Sequence, residues 1–147
     1  MKLLLLTVVI MISSLSYATE VIKDGQEYPM DKMREQNQKI IKMVVEEVSK
    51  GLPQKVNKYT QMINIRDENL TLIYTFEINA APKSDETIRK EGKKKMEKYV
   101  SKGICQSSKK FLDVGVTISY EYLSASTKKE LFTFTLTQKI CKKLKYD

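Results

Sequence analysis

Two pairs of residues carry whatever covalent or acid–base chemistry this chain can do: the cysteines Cys105 and Cys141, and the carboxylates Glu77 and Glu121. The cysteines are the only two in 147 residues and lie 36 positions apart. In an oxidising compartment such a pair forms a bridge, which over this span stabilises a small domain by about 4 kcal/mol on the chain-entropy argument. There is no Cys-x-x-Cys for redox exchange, and with no histidine the usual zinc ligand sets are missing. The lack of histidine also removes Ser-His-Asp and Cys-His nucleophiles and the commonest general base. Neither a Gly-x-x-x-x-Gly-Lys-Ser/Thr loop nor a Gly-x-Gly-x-x-Gly turn is present. The reading is therefore of a chain with no catalytic residue, no metal site and no cofactor. A carboxylate hydrolase built on Glu77 and Glu121 is the one enzymatic alternative, since that mechanism needs only two acids. Pairing with neighbouring lysines accounts for both residues more simply.

The bridge presupposes export. Met1-Lys2 and the apolar run Leu3 to Ile12 are too short to span a bilayer, and Ser16-Tyr17-Ala18 supplies the small residues that signal peptidase reads. The sequence predicts a signal peptide over 1–18, a flexible lead-in over 19–29 and a single α+β domain over 30–147. No later stretch is apolar enough to cross a membrane, which places the mature chain in the periplasm or outside the cell. Asn69-Leu70-Thr71 fits a glycosylation acceptor, meaningful only in a host that glycosylates.

Losing Lys2 with the leader lowers the formal charge from +8 to +7. Such a balance favours anionic partners, including lipid head groups and cell-wall polymers. Only three of the 26 basic residues are arginine (Arg34, Arg66, Arg89), which argues against specific phosphate recognition. Tyr120 and Tyr122, near Lys128 and Lys129, resemble base-stacking residues, but they share a strand side with Val116 and Ile118 and so read as core. A nucleic-acid partner is not expected.

Behind these residues stands a short list of elements. Met33, Asn37, Ile40, Ile41, Val44, Val45 and Val48 fall at helical spacing, and Gly51, Leu52 and Pro53 form a stop in which Gly51 takes the left-handed position. Tyr59, Ile63 and Ile65 then share one strand face, Asp67-Glu-Asn69 makes a turn, and Leu70, Leu72, Tyr74, Phe76 and Ile78 alternate with polar positions. Ser84 caps a second helix whose stripe runs Ile88, Gly92, Met96, Tyr99, Gly103 and Ser107, widened by Val100, Ile104 and Phe111. Val114, Val116, Ile118, Tyr120 and Tyr122 form the inward side of a third strand, and Phe132, Phe134 and Leu136 that of a fourth. The expected architecture is an antiparallel four-stranded sheet of two hairpins with two helices on one face, in the order α-β-β-α-β-β, closed by the Cys105–Cys141 bridge.

The other sheet face then carries Thr71, Thr75, Thr117, Ser119, Thr133, Thr135 and Thr137, bordered by Lys128 and Lys129. A flat face with few charges, next to an unpaired strand edge, is suited to holding another protein. The sequence thus points to a small exported, non-enzymatic accessory protein that engages another envelope or secreted macromolecule, with electrostatic binding to anionic lipid or cell-wall polymer as the alternative.

Overall fold

The computed structural model describes residues 30–146; the leader expected over 1–18 and the lead-in expected over 19–29 lie outside the described residues. Helix α1 (Met30–Ser49) begins with Asp31 in its first turn and buries Asn37 and Ile41, with Val44, Val45 and Val48 packed beside them. It ends in short three-residue returns, Gly51 N–H to the Val48 carbonyl (3.1 Å) and Leu52 N–H to Ser49 (3.3 Å). Gly51 is not left-handed, so the expected glycine cap is not at this helix.

After Pro53 the chain forms β1 (Gln54–Lys55), a two-residue strand that the sequence does not announce, and returns as β2 (Thr60–Glu68). The Asn57 side-chain oxygen closes this turn by accepting from the N–H groups of Tyr59 (2.9 Å) and Thr60 (3.0 Å). A bulge between Met62 and Asn64 shifts the alternation of β2. Met62 and Ile65 therefore face the core, while Tyr59, expected to share the face of Ile65, stays 55% exposed ahead of the strand. β2 also runs on through the expected turn. Asp67 and Glu68 remain paired, and the reversal to β3 (Thr71–Ile78) is made by Asn69, at φ 55°, with Leu70.

Helix α2 (Asp85–Ser107) is capped by Ser84, whose hydroxyl accepts from Thr87 N–H at 3.2 Å, with Asp85 and Glu86 in the first turn. Its inward line is Ile88, Met96 and Val100, half-buried, with Ser101, Ile104 and Cys105 buried. Tyr99 and Gly103, assigned above to that stripe, are exposed. A short α3 (Lys109–Asp113) follows and closes with a Schellman arrangement: Gly115 at φ 85°, its N–H on the Leu112 carbonyl (3.1 Å), and Val116 N–H on Phe111 (3.0 Å). The left-handed glycine cap sits here, which leaves Val114 exposed outside the strand.

β4 (Thr117–Ser124) and β5 (Glu130–Leu136) form the second hairpin, with Lys128 at φ 59° in its turn. A register shift opposite Tyr122 and Leu123 turns Leu131 into the core instead of toward the Thr face. Thr137 is no strand residue. Its hydroxyl caps α4 (Gln138–Leu144), accepting from Ile140 N–H at 3.3 Å. α4 carries Cys141, bonded to Cys105 across a Cα separation of 5.6 Å.

The sheet has five strands in the order β1-β2-β3-β4-β5, and its central pair, β3 with β4, is parallel. This corrects the expected four-stranded antiparallel sheet. The reason is the helix between the hairpins: 23 residues of α2 reach about 35 Å, more than the roughly 26 Å of an eight-residue strand. The chain is thus returned to the end where β3 began, and β4 starts alongside it. α1 lies over β2 and α2 over β5, and residues of both join one core with Leu72, Phe76, Ile118, Tyr122, Phe132 and Leu136. The Phe76 and Tyr122 rings stack across the parallel seam at 5.0 Å.

Candidate protein-docking surface

The face turned away from the helices is built by the alternate residues of the strands. Register places Asn64, Thr75, Glu121 and Thr133 in one row, and Arg66, Ile73, Ser119 and Thr135 in the next. Of the residues expected to form a binding surface, Thr71, Thr75, Thr117, Ser119, Thr133 and Thr135 do share this face, and Thr137 does not.

The face is not a bare threonine plane. Arg66 extends from β2 over β3 and holds Glu121 with two bonds, Nη1 to Oε2 at 2.9 Å and Nη2 to Oε1 at 2.7 Å. Thr75 lies beneath this fork and is buried, as is Ile73. A second strut crosses further along: Lys128 Nζ meets Glu77 Oε1 at 2.6 Å, and Gln61 donates to the other oxygen at 3.3 Å. Ser119 is buried too, its hydroxyl 3.0 Å from that of Thr135. Lys128 is thereby tied to Glu77, though like Lys129 it stays exposed.

This arrangement gives both carboxylates structural partners. The Arg66 guanidinium holds the Glu121 carboxyl below its ordinary value, more strongly than burial raises it, so Glu121 keeps no proton near neutrality for a leaving group. Among the described residues no group of three or more acids and cysteines is placed to hold a metal ion.

What remains open lies toward β5. Thr133 and Thr135 are exposed, and β5 is an outermost strand: among the described residues nothing pairs with its outer side, so every second residue turns its N–H and C=O away from β4. Arg89 of α2 takes the carbonyl of Glu130 at one end through Nε (3.2 Å) and Nη2 (2.6 Å). The opposite margin differs. β1 is two residues long, and the part of β2 beyond it carries Arg66, Asp67 and Glu68. Near that margin a shallow cleft of about 320 Å³ is lined by Lys55, Asn57, Lys58, Tyr59, Gln61 and Asn79. On the helix side, Tyr74 and Tyr120 over the central strands are only partly covered and meet edge to face at 5.1 Å. Burial, with Tyr120 adding to it, pushes the Tyr74 hydroxyl up to about 12.

The family model described as a domain of unknown function, DUF8479, matches residues 35–132, well over half the chain. The chain belongs to the DUF8479 family. The DUF8479 match runs from α1 into β5 and stops short of α4 and Cys141. No curated protein matches the sequence. Solved structures with a similar fold include a candidate secreted protein of Pseudomonas aeruginosa, with a TM-score of 0.64 at 18% identity, covering 74% of this chain and 96% of that one. They also include the pilotin EpsS of the Vibrio vulnificus type 2 secretion system, at 0.63 and 12%, covering 76% and 96%. The type II secretion pilotin AspS of Vibrio cholerae scores 0.56 at 12%, covering 76% and 98%. At these identities the likeness is one of fold, so this DUF8479 protein shares an α+β layout with two proteins named as type II secretion system pilotins.

The Arg66 fork and helix α4 escaped the sequence reading. Arg66 has a usable signal, since an arginine on an outward strand position can reach an acid two strands away. α4 has a weaker one in Thr137 followed by lysines at the chain end.

Proposed function

We propose that this protein is an exported, non-enzymatic accessory protein that holds a second envelope or secreted protein against the β5 side of its sheet. The observation that carries the reading is the state of that edge: Leu131 to Thr137 contains no charged residue, no proline and no glycine. Solvent-facing edges are ordinarily blunted by charges, prolines or bulges; beyond the bulge at Leu131 this edge carries none of them, and such an edge is a template for strand addition. The signal peptide expected over 1–18 and the Cys105–Cys141 bridge support export, and the fold shared with pilotins is consistent with an accessory role. Replacing Thr133 by a photo-crosslinking amino acid in cells should give one discrete adduct to another protein, absent when the same group stands at Glu35 on the exposed part of α1. Adducts of equal pattern from both positions would refute the assignment.

A second reading is favoured by α4, where Ile140 and Leu144 are exposed among Lys139, Lys142 and Lys143. This is the composition of a contact with an anionic lipid or cell-wall surface. It predicts co-sedimentation with phosphatidylglycerol vesicles that is lost as salt is raised, and salt-independent sedimentation would remove it.

A further inference from the structure

Away from β5, the cleft beside the turn from β1 to β2 holds two cations without a counter-charge. Lys55 and Lys58 both line it and are exposed, and among the described residues neither is in an ion pair. Glu77 is the one acid in the lining, and its charge is already met. It is buried, with Oε1 on Lys128 at 2.6 Å and Oε2 on Gln61 at 3.3 Å. The segments that form the cleft bring no other: the chain is free of acids from Ser49 to Arg66, from Ile78 to Ser84 and from Tyr122 to Lys129. Asp85, the next acid along, is bonded to Thr127.

The neutral groups around these cations are held in set positions. Asn57 Oδ1 accepts from the N–H groups of Tyr59 and Thr60, which leaves its Nδ2 as a donor. Gln61 gives its Nε2 to Glu77, which leaves Oε1 as an acceptor. Asn79 is exposed, and its backbone N–H is fixed to the Tyr59 carbonyl at 2.8 Å. Tyr59 stands half exposed, with Lys58 Nζ 5.3 Å from the centre of its ring.

Donors and acceptors left free at one place suit a ligand rich in hydroxyls, which both give and take hydrogen bonds. An exposed phenol suits the C–H face of a sugar ring, apolar on its body and polar at its rim. Ammonium groups without an arginine fork suit a single carboxylate held as a point charge. One carboxylated sugar carries all three features. At about 320 Å³ the cleft lies at the lower end of the roughly 300–1,000 Å³ of small-ligand sites, so it takes a unit or two and not a folded partner.

We propose that this cleft binds a uronic acid unit of a glycan, with the carboxylate on Lys55 and Lys58 and the sugar ring against Tyr59. The site is separate from the β5 edge, so each stands or falls by its own test. The probes are glucuronate, glucose, acetate and inorganic phosphate, titrated into the isotope-labelled, disulfide-bonded protein and followed by NMR. Glucuronate is expected to shift the backbone signals of Tyr59 and the side-chain amide signals of Asn57, Gln61 and Asn79. It should bind at least about tenfold more tightly than glucose or acetate, the weight of one charge-assisted hydrogen bond. Salt above about 0.5 M should bring it down toward glucose. Lys55→Gln with Lys58→Gln should remove the preference over glucose, and Tyr59→Ala should weaken both sugars alike. Unchanged thermal midpoints verify that these variants fold. Lys139→Gln with Lys142→Gln, on α4, should leave glucuronate affinity as it was.

Glucuronate that leaves these signals in place overturns the inference. Acetate binding as tightly overturns it in favour of a general anion site, and phosphate binding more tightly in favour of a phosphate site. Loss of glucuronate binding in the α4 variant, with the Lys55 and Lys58 variant unaffected, moves the contact to α4 and overturns it as well.

Discussion

Arg66 and Glu121 are joined by two parallel bonds across an intervening strand, linking β2 of the first hairpin to β4 of the second. The fork spans the parallel seam on the outer face, opposite the ring stack of Phe76 and Tyr122 on the inner one. The seam is therefore held from both sides.

Removing either partner should weaken that seam. Arg66→Ala leaves a half-buried carboxylate beside Thr75 and is expected to lower stability by about 1–2 kcal/mol. Because both side chains keep contact with solvent, at 39% and 24% exposure, the coupling in a double-mutant cycle with Glu121→Gln should be only about 1 kcal/mol. The folded Glu121 titrates below its ordinary 4.5, so its contribution is complete above that value and is lost as pH falls from about 4.5 through the folded value. Urea midpoints followed downward from pH 6 should show this loss in the parent and not in the Arg66→Ala protein.

At the alkaline end Tyr74 works in the opposite direction. Its hydroxyl ionises near 12 in the folded chain against 10.0 when free, so the neutral form is favoured by folding and stability drains away as pH rises from 10 toward 12. Ultraviolet titration should find several late-ionising phenols, since burial raises Tyr120 and Tyr122 as well, and their number should fall by one in Tyr74→Phe, with a smaller alkaline loss of stability in that variant.

The bridge joins the last turn of α2 to α4, and its effect should be local in structure though large in energy. Cys105→Ser with Cys141→Ser is expected to cost about 2–4 kcal/mol. Hydrogen exchange should show α4 opening first while β2, β3 and β4 keep their protection. Uniform loss of protection across the sheet would contradict that division.

The glycines separate by backbone and not by burial. A methyl at Gly92 would meet Ile88 Cγ2 at 3.8 Å and Phe132 Cε1 at 3.9 Å, which are ordinary contacts, and one at Gly103 meets nothing within 4 Å. Alanine at either site should raise stability by about 0.5–1 kcal/mol through helix propensity. Gly115→Ala should lower it by about 1 kcal/mol, because φ 85° strains any residue with a Cβ. Thermal midpoints of the three variants check the signs.

These cases show why some of the architecture is legible in the residues and some is not. α1, the Ser84 cap, the inward rows of β3 and β4 and the cysteine pairing follow from spacing and local chemistry. The face of β2 was misread because one bulge, which no residue type marks, moves Tyr59 and Ile63 off the row of Ile65. The stripe on α2 was misread because lysines occupy most of its middle, leaving Tyr99 as a tempting but exposed match. Parallel pairing of β3 with β4 depends on how far α2 carries the chain, which is a property of length and not of pattern. On the candidate surface, the threonines could be placed on one face from alternation alone. Burial of Thr75 and Ser119 could not, since it comes from a fork and a hydroxyl pair that reach across strands.

The parallel seam also bears on how the chain reaches its native state. Each hairpin can zip from its own turn, but Leu72 meets Ile118 only after the whole of α2 has been made and laid across. Closure of that long connection, and not formation of either hairpin, is the step expected to set the folding rate. A chain emerging from a membrane channel N-terminus first would then carry a finished first half with an unpaired β3 flank until the second half arrived.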